Sequence, residues 1–557
     1  MSFAIFRLIH YIYIYYFFKN KPNKKIELFI YILGMIYYWK ITMNVAIIGA
    51  GVSGLCMAIK CHKRNINYTI YEMNDNVGGL WNSKNGIVNE YSNVQVVSPT
   101  FRFEDDYSKY SEYTNAEELY GKISENFKKF DIEKNIRFRV KLNSFKSLDD
   151  NRVELSLEKL IDHNNVELIE SDRFFTVIVD ALYIRTGTLN KVRELKLSNE
   201  DKFSGVIGYG TNDGKKEIDF TDKVVTVIGF GATAVENINN ALRKGAKKVI
   251  VLARSLRNIW TRKMLYQIVK ELIYPQHYLA NYFRKDSWKR VNDIYNKSFD
   301  HFNNETINKI REASTKMIND EMNHDMSKIP AVTEDILIYC YYGLLEIYHD
   351  EIEDINGTEI TTKNGIKYNS DIIFKCTGYE LVETFFKGHT IDNTIFVDGK
   401  HNITHNCALD RSGKVEFIHG PSKEVNILPL VSYPMVNHVF DELALYFLNF
   451  PNRFDVFRSN NKYDDIISNK NIENIEFRCY VHMFWKLIDY LKFSPLDLRL
   501  TLNIGIHLWN LRQDVMKNLS KREFHKVDKS LWDKTSQFCY ERNKEKGYLD
   551  YPFVETC

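Results

Sequence analysis

Two glycine-rich turns, each placed between an apolar strand pattern and a helical pattern, constrain the fold of this chain more than any other feature. The first turn, Gly49-x-Gly51-x-x-Gly54, follows the strand pattern MNVAII. In a dinucleotide-binding unit the first glycine permits the tight turn, the second lets the backbone approach a pyrophosphate, and the third lets the helix pack closely on the strand. The amino terminus of the helix then faces the anion. The sequence therefore predicts a dinucleotide site at Gly49, Ala50, Gly51, Val52, Ser53 and Gly54.

An acidic residue stands where such a unit needs one. The second strand pattern, Tyr68 to Tyr71, is followed directly by Glu72. A carboxylate at this place accepts hydrogen bonds from the ribose of an adenine dinucleotide. Strand, helix and acid together favour dinucleotide binding over the alternative, a glycine turn without a ligand.

The second glycine-rich turn follows the strand pattern Val224 to Ile228 and reads GFGATAVE. Its candidate cofactor contacts are Gly229, Gly231, Ala232, Thr233 and Ala234. Ala234 takes the place of the third glycine and still permits fairly close packing. The next strand pattern, Lys248 to Leu252, is followed by Ala253 and Arg254 instead of an acid. An arginine there suits a ribose 2′-phosphate, which favours NADP over NAD; a solvent-exposed arginine is the alternative.

Two such turns, 180 positions apart from Gly49 to Gly229, imply two dinucleotides in one chain. One of them is most usefully a flavin, because a flavin accepts hydride from a nicotinamide cofactor. Apart from these two turns, no internal repeat is apparent in the sequence. No Cys and His grouping has metal-ligand spacing, so no metal site is expected.

Composition sets the class of protein. The chain has 557 residues, of which 44 % are hydrophobic and 26 % charged, and its net charge is +3. These values indicate a globular protein of two or three domains and exclude a disordered or polytopic membrane protein. The small net charge gives no reason to expect a nucleic-acid partner. Cys56 and Cys61 lie about 7.5 Å apart along a helix axis, which predicts two buried thiols and no disulfide.

Further motifs add a family resemblance. Gly78-Gly79-Leu80-Trp81 follows Glu72, DALYIRTGTLNK contains Thr186 and Gly187, and IIFKCTGYE contains Thr377 and Gly378. In this order, and with the two glycine-rich turns, the motifs resemble the flavin-containing monooxygenases and the wider class B flavoprotein monooxygenases, over roughly residues 43–450. The resemblance implies that FAD contacts the first turn and Gly79, Leu80 and Trp81, that NADPH contacts the second turn, and that the Thr-Gly strands bridge the domains.

The sequence departs from the pattern of that family at three places. The family motif FxGxxxH begins at Phe203-x-Gly205, but Tyr209 stands in the histidine place and Asp213 in the aromatic place. The catalytic asparagine of mammalian-type members has no clear counterpart, and the nearest amides are Asn93 and Gln95. The Arg-x-Asp element of the Baeyer-Villiger members is absent after GGLW. The last of these departures favours oxygenation of a soft nitrogen or sulfur over that of a ketone.

The expected fold is α/β, with two Rossmann-like dinucleotide-binding domains, the NADP domain inserted in the FAD domain, and a helical carboxy-terminal extension. The segments are 1–42, a hydrophobic amino-terminal segment; 43–195, the first part of the FAD domain; 196–335, the NADP domain with an insertion at about 256–330; 336–450, the second part of the FAD domain; and 451–557, the extension. Three interpretations of residues 1–42 stay open: a membrane anchor, an interfacial segment, or translated upstream sequence before Met43. We expect a cytoplasmic protein whose membrane contact, if any, is through residues 1–42.

The function implied by the resemblance is that of an FAD-dependent, NADPH-consuming monooxygenase. It would transfer one oxygen atom of dioxygen to a soft nitrogen- or sulfur-containing small molecule through a C4a-hydroperoxyflavin. Tyr209 and Asp213 leave two alternatives open. These are an uncoupled NADPH oxidase or reductase, and a non-catalytic FAD-binding scaffold.

Overall fold

The computed structural model describes about half of the chain. The described residues are 43–85, 88–89, 91–93, 114–150, 152–160, 173–187, 191–210, 218–256, 259–260, 305, 307–312, 331–380, 407–409, 415–418, 445, 448 and 523–544. Residues 1–42, nearly all of the insertion and most of the carboxy-terminal extension therefore lie outside the described residues, as do Gln95 and Asp213.

A six-stranded sheet forms the first unit, in the order β20-β21-β7-β1-β2-β3. Its strands are β1 Asn44–Ile48, β2 Asn67–Glu72, β3 Ile136–Phe138, β7 Ala181–Ile184, β20 Cys407–Leu409 and β21 Val415–Ile418. All neighbouring strands pair in parallel except β20 with β21. Helix α1, Val52–Lys63, joins β1 to β2, and helix α2, Ala116–Lys129, precedes β3. Both helices contribute buried apolar side chains to a core that includes β1 and β2.

A five-stranded parallel sheet forms the second unit, in the order β14-β11-β10-β18-β9. Its strands are β9 Val206–Gly208, β10 Val224–Ile228, β11 Lys248–Leu252, β14 Leu345–Tyr348 and β18 Ile372–Lys375. Helix α3, Ala232–Arg243, joins β10 to β11, and helix α4, Asp335–Tyr341, precedes β14. In chain order all five strands fall between β7 and β20 of the first sheet.

Each sheet is covered by helices on one face and by a three-stranded antiparallel sheet on the other. The first cover consists of β4 Val140–Ser147, β5 Val153–Lys159 and β6 Phe174–Val179. The second consists of β15 Ile352–Asn356, β16 Glu359–Thr362 and β17 Lys367–Asn369. Buried side chains of β1 and β7 pack on the first cover, and those of β18 pack on the second. A parallel sheet covered on both faces explains why the central strands read as continuous apolar runs.

Two short strand pairs and one long helix lie outside these layers. Strands β8 Lys191–Val192 and β19 Tyr379–Glu380 pair antiparallel, and β12 Ile259–Trp260 pairs parallel with β13 Ala331–Val332. Helix α5, Glu523–Arg542, packs on the second unit, where Cys539 joins the buried core around α3 and α4.

One sequence prediction on individual residues has an outcome here. Cys56 and Cys61 are buried thiols on α1 that form no disulfide, as predicted. Within the described part of the chain, no helix combines the length and the apolar character needed to cross a bilayer. In the same residues, no group of three or more His, Cys, Asp or Glu is arranged to hold a metal ion.

Candidate functional site: two equivalent nucleotide cradles

The turn after β1 requires glycine at two positions. Gly49 has a left-handed backbone, with φ of +104°, and a Cβ atom there would lie 2.6 Å from the carbonyl oxygen of Arg185. A Cβ on Gly54 would lie 1.9 Å from the carbonyl oxygen of Gly49. Real Cβ atoms essentially never come this close to another atom. The turn and the close packing of α1 therefore require glycine, which has no side chain, at both positions.

The Gly-Gly-Leu-Trp segment rests directly on this turn. The amide of Gly78 donates to the carbonyl of Ala50 at 2.9 Å. A Cβ on Gly79 would lie 3.0 Å from the Cα of Gly51, so the two backbones pass in contact. Trp81, at the end of the short 3-10 turn Gly79–Trp81, packs against the core of the first unit. The fold thus brings together two motifs that the sequence analysis assigned to FAD.

Glu72 holds the same turn from the other side. Its buried carboxylate accepts from the amide of Ala50 at 2.6 Å. It also accepts from the backbone amide and the side-chain amide of Asn74, at 2.8 Å and 2.9 Å. Burial raises the pKa of Glu72 above its ordinary value, and these hydrogen bonds oppose that rise. Glu72 therefore shapes the turn, besides standing where the ribose contact is predicted.

The turn after β10 repeats this geometry. The first cradle is the turn from Gly49 to Gly54, and the second is the turn from Gly229 to Ala234. Gly229 is left-handed, with φ of +107°, and a Cβ there would lie 2.3 Å from the carbonyl oxygen of Cys376. Ala234, in the place of the third glycine, is fully buried and packs within the core of the second unit. Gly51 and Gly231 are the N-caps of α1 and α3, and both are extended and without a side-chain cap. Among the described residues, neither helix has an acid in its first turn, so both amino termini suit an anion.

The two Thr-Gly strands explain how each turn is held. Asp180 accepts from the amide of Asn44 at 2.7 Å, and Asp371 accepts from the amide of Val224 at 2.9 Å, at the first residues of β1 and β10. Seven positions after each aspartate, Gly187 and Gly378 adopt left-handed backbones. Each Asp-to-Gly segment therefore contacts its neighbouring strand, β1 or β10, at both ends. The aspartate binds the first residue of the strand, and the carbonyl just before each Thr-Gly lies against the first glycine of the turn that follows it.

A connection between the two units meets the second Thr-Gly. The hydroxyl of Thr377 donates to the carbonyl of Arg193 at 2.8 Å, and the amide of Arg193 donates to the carbonyl of Gly378 at 2.9 Å. Arg193 directly follows β8, so the chain that leaves the first unit is fastened at the edge of the second cradle.

Arg254 lies after β11, as predicted, with a side chain that is 79 % exposed. Its Nε is 3.6 Å from the Glu351 carboxylate, which also pairs with Lys363. The ring of His349 contacts the carbonyl oxygen of Arg254 at 2.7 Å. The guanidinium thus reaches solvent at the carboxyl ends of β11 and β14, beside one acid and one further cation.

Of the two candidate catalytic amides, only Asn93 is among the described residues. Its side-chain nitrogen donates to the carbonyl of Tyr91 at 3.0 Å, and its backbone bridges Asn115 at the start of α2. Asn93 is half-buried in a turn next to the first unit.

Sequence reasoning missed Glu236, the last residue of GFGATAVE. Its carboxylate accepts from the hydroxyl of Ser92 at 2.9 Å, which joins α3 to the turn that carries Asn93. Removal from water raises the pKa of Glu236 to about 7, and the Ser92 hydroxyl only partly opposes this. An acid inside a fingerprint helix was visible in the sequence, but its partner is 144 positions away.

A second missed group surrounds Tyr209. Lys375, 3 % exposed at the end of β18, donates to the Glu200 carboxylate at 2.6 Å and to the Leu195 carbonyl at 2.7 Å. Its ammonium lies 5.4 Å from the centre of the Tyr209 ring. Burial raises the pKa of Glu200, but the hydrogen bonds from Lys375 and Leu197 outweigh it, so this pKa lies below its ordinary value. A lysine in the apolar pattern IIFK was the available signal.

The fold and the paired cradles define a protein with two dinucleotide-binding-type units in one chain. The model of the family described as flavin-binding monooxygenase-like matches residues 42–397. The chain therefore belongs to the flavin-binding monooxygenase-like family.

Curated relatives share this region at low identity. The FAD-binding monooxygenase ktnD of Aspergillus niger is 28 % identical over 254 residues, which cover 44 % of this chain and 40 % of that protein. Flavin-containing monooxygenase 1 of Homo sapiens is 30 % identical over 210 residues, covering 35 % of this chain and 37 % of that protein. The matched segments span 34 % to 65 % of the lengths of such relatives.

Solved structures share the fold. An open crystal structure of cyclohexanone monooxygenase superposes with a TM-score of 0.51 at 16 % identity, covering 74 % of this chain and 88 % of that one. An oxidized steroid monooxygenase bound to NADP gives a TM-score of 0.51 at 17 % identity, covering 73 % of this chain and 86 % of that one. These likenesses confirm the α/β architecture with parallel sheets.

Proposed function

We propose that this chain is an FAD-dependent monooxygenase that consumes NADPH. The observation that carries the proposal is the pair of equivalent cradles, in which Gly49 and Gly229 each lie against the carbonyl that precedes a Thr-Gly. One cradle suits FAD and the other suits NADPH. Membership of the flavin-binding monooxygenase-like family supports this assignment.

The residues present fit both cofactors. In the first cradle, the amino terminus of α1 has no side-chain cap. Gly51 and Gly79 contact each other there, and neither places a side chain over the turn. Gly49 to Gly54 would hold the pyrophosphate, Glu72 the ribose, and Gly79, Leu80 and Trp81 the flavin side, with Thr186 and Gly187 closing the turn. In the second, Gly229 to Ala234 would hold the pyrophosphate and Arg254 the 2′-phosphate, with Thr377 and Gly378 at its edge.

The protein's part in the reaction is to bind, orient and exclude water. When bound, FAD would accept hydride from NADPH and activate dioxygen, of which one oxygen atom goes to the substrate and the other leaves as water. The substrate we propose is a small molecule with a soft nitrogen or sulfur. We propose Asn93 as a candidate amide donor to the reacting atoms; the other candidate, Gln95, lies outside the described residues. We also propose that the second sheet is the NADP domain, inserted in the FAD domain.

A spectroscopic experiment tests the proposal. Residues 43–557 are purified, the visible spectrum is recorded, and NADPH or NADH is added without oxygen and then with it. We expect a yellow protein that NADPH bleaches faster than NADH, and that reoxidises in air. A soluble protein that stays colourless after incubation with FAD would contradict the proposal.

Tyr209 supports a second candidate, an uncoupled NADPH oxidase. It occupies the histidine place of the family motif and lies over Lys375, at the segment that joins the two units. The oxidase predicts one hydrogen peroxide per NADPH consumed with every amine or sulfide offered. The monooxygenase predicts that a substrate lowers the peroxide yield. Bound FAD without any turnover would instead favour a non-catalytic scaffold.

A further inference from the structure

The first unit and the second unit meet at a pair of side chains that are not among the predicted cofactor contacts. Ser92 is fully buried, and its hydroxyl donates to the Glu236 carboxylate at 2.9 Å. The side-chain amide of Asn89 donates to the backbone carbonyl of Glu236 at 3.5 Å. The first-unit turn, residues 88–89 and 91–93, therefore contacts α3 at the carboxylate and at the backbone carbonyl of Glu236.

Further hydrogen bonds hold the first-unit turn, so a displacement of Glu236 also displaces the residues bonded to Ser92. Ser92 exchanges hydrogen bonds with Asn89, since its amide donates to the Asn89 carbonyl and its hydroxyl accepts from the Asn89 amide, both at 3.0 Å. The carbonyl of Ser92 accepts from the amide of Ala116, the first residue of α2, at 2.9 Å. Asn93 follows directly and has its own contact with Tyr91.

Glu236 lies on the helix that carries the second cradle. It is four residues beyond Ala232, the first residue of α3, which places it about 6 Å along the axis from the helix amino terminus. The amino terminus of α3 therefore faces the proposed NADPH phosphates. About one helical turn further on, the same helix contacts the first-unit turn through Glu236.

We propose that Glu236 is a positioning residue, and that its hydrogen bond with Ser92 sets the distance between the NADPH cradle and the first-unit turn that carries Asn93. This inference rests on the proposed function, in which hydride passes from a cofactor in one unit to a cofactor in the other. Hydride transfer requires close and well-aligned reacting atoms, and a displacement of about 1 Å lowers such a rate up to about a hundred-fold. The hydrogen bond between Ser92 and Glu236 joins the two units directly and would therefore help to keep that distance constant.

The ionisation of Glu236 supports a pH dependence of this contact. Burial raises the pKa of Glu236 to about 7, the Ser92 hydroxyl opposes the rise, and no charged group among the described residues contributes. The carboxylate that accepts from Ser92 is the form present above this pKa. The contact should therefore weaken as the pH falls through about 7, and this dependence should vanish in Glu236→Gln.

Two readouts test the proposal in the holoenzyme. Hydrogen exchange of peptides covering residues 88–93 is followed by mass spectrometry, with and without NADP⁺, in wild type, Glu236→Ala, Glu236→Gln and Ser92→Ala. The limiting rate of anaerobic flavin reduction and the dissociation constant of NADP⁺ are measured for the same four proteins. Glu346→Gln, which removes a carboxylate of β14 that pairs with Lys248, is the matched control.

We expect Glu236→Ala and Ser92→Ala to exchange faster at residues 88–93 and to reduce flavin on the order of ten-fold more slowly, with NADP⁺ affinity nearly unchanged. The isosteric Glu236→Gln should keep most of the rate and lose its pH dependence near 7. The control should match wild type. Wild-type exchange at residues 88–93 in Glu236→Ala, or a loss confined to NADP⁺ affinity, would overturn the positioning role.

Failure of the proposed function gives a different result. In that case NADPH would not reduce the flavin of the wild type, although dithionite would. The exchange readout needs no turnover, so it would still decide whether Glu236 and Ser92 hold the two units together.

Discussion

At the scale of single residues, we propose that the choice between NADPH and NADH depends on charges at the ends of β11 and β14. Arg254 is mostly exposed and shares Glu351 with Lys363. A 2′-phosphate would bring negative charge to the same place and would compete with Glu351 for both cations. The carboxylate therefore opposes NADPH, while the guanidinium favours it.

We predict that Arg254→Ala weakens NADPH by about ten-fold or more and leaves NADH nearly unchanged, because one charge-assisted contact to phosphate is lost. Glu351→Gln should strengthen NADPH relative to NADH, because the competing negative charge is removed. Dissociation constants of both coenzymes, measured by titration of the bound flavin's absorbance, check this. Equal effects of Arg254→Ala on the two coenzymes would remove Arg254 from the 2′-phosphate site.

The buried cation at the end of β18 has a consequence for stability. The Lys375 side chain is 4 % exposed and the Glu200 side chain 30 % exposed, so removing Lys375 leaves a partly desolvated carboxylate. We predict that Lys375→Met lowers the free energy of unfolding by about 2–3 kcal/mol, below the cost for fully buried pairs because Glu200 keeps some water contact. The double variant with Glu200→Gln should recover part of this loss. Denaturant unfolding at neutral pH measures both.

The same ion pair predicts a direction with pH. The folded pKa of Glu200 is lowered, so its stabilising contribution is complete above the unfolded value, about 4.3, and is lost as the pH falls through the folded pKa. Wild type should therefore lose this contribution on acidification, whereas Glu200→Gln has none to lose. A wild type and a Glu200→Gln variant with the same stability difference at pH 7 and pH 3 would contradict it.

At the scale of elements, the second unit is closed by a helix that is distant in sequence. Arg542, the last residue of α5, donates to the carbonyls of Leu242 and Ala246 at 2.7 Å and 2.8 Å, just at the end of α3. The Leu242 carbonyl also accepts from the amide of Gly245, and Ala246 lies just beyond α3, so the guanidinium adds side-chain donors at the carboxyl end of this helix. Thr535 on the same helix donates to Asp335 at 2.8 Å, at the start of α4.

We predict that Arg542→Ala lowers the free energy of unfolding by about 1–3 kcal/mol, since the carbonyls of Leu242 and Ala246 lose their side-chain donor. Lys544→Ala, at an exposed position two residues on, is the control and should be neutral. Denaturant unfolding followed by far-UV circular dichroism measures both variants. Identical midpoints for Arg542→Ala and the control would show that α5 does not cap α3.

The elements that the sequence predicted best are those with short-range causes. The strands before both glycine turns, and the helices after them, follow from spacings of a few residues, because glycine at a forced left-handed position leaves no alternative. The contacts that were missed join distant positions, such as Lys375 with Glu200 at a separation of 175. Nothing local marks such a pair. Asp180 and Asp371 show a partial signal in the sequence, since each precedes the glycine of its Thr-Gly by seven positions. The role of the two carboxylates follows only from the structure, in which each accepts from the first residue of β1 or β10.

At the scale of the whole molecule, the described residues form two units of the same design, so one substitution type can separate their roles. Gly49→Ala and Gly229→Ala each place a methyl group against a carbonyl oxygen, at 2.6 Å and 2.3 Å, on a left-handed backbone. The two changes are therefore closely matched in steric cost and differ in the cofactor that they affect. Gly121→Ala on α2 meets no atom within 4 Å and is the control.

We predict that Gly49→Ala is purified with little FAD, because the turn that carries the pyrophosphate moves. Gly229→Ala should retain FAD and its reduction by dithionite, while NADPH reduces it at least about ten-fold more slowly at a fixed NADPH concentration, because the second cradle no longer approaches a phosphate. The ratio of flavin to protein absorbance and the anaerobic bleaching rate give the two readouts. Loss of FAD in Gly229→Ala, with retention in Gly49→Ala, would reverse the assignment of the two cradles, whereas loss of FAD in both would show that neither unit holds its cofactor independently of the other.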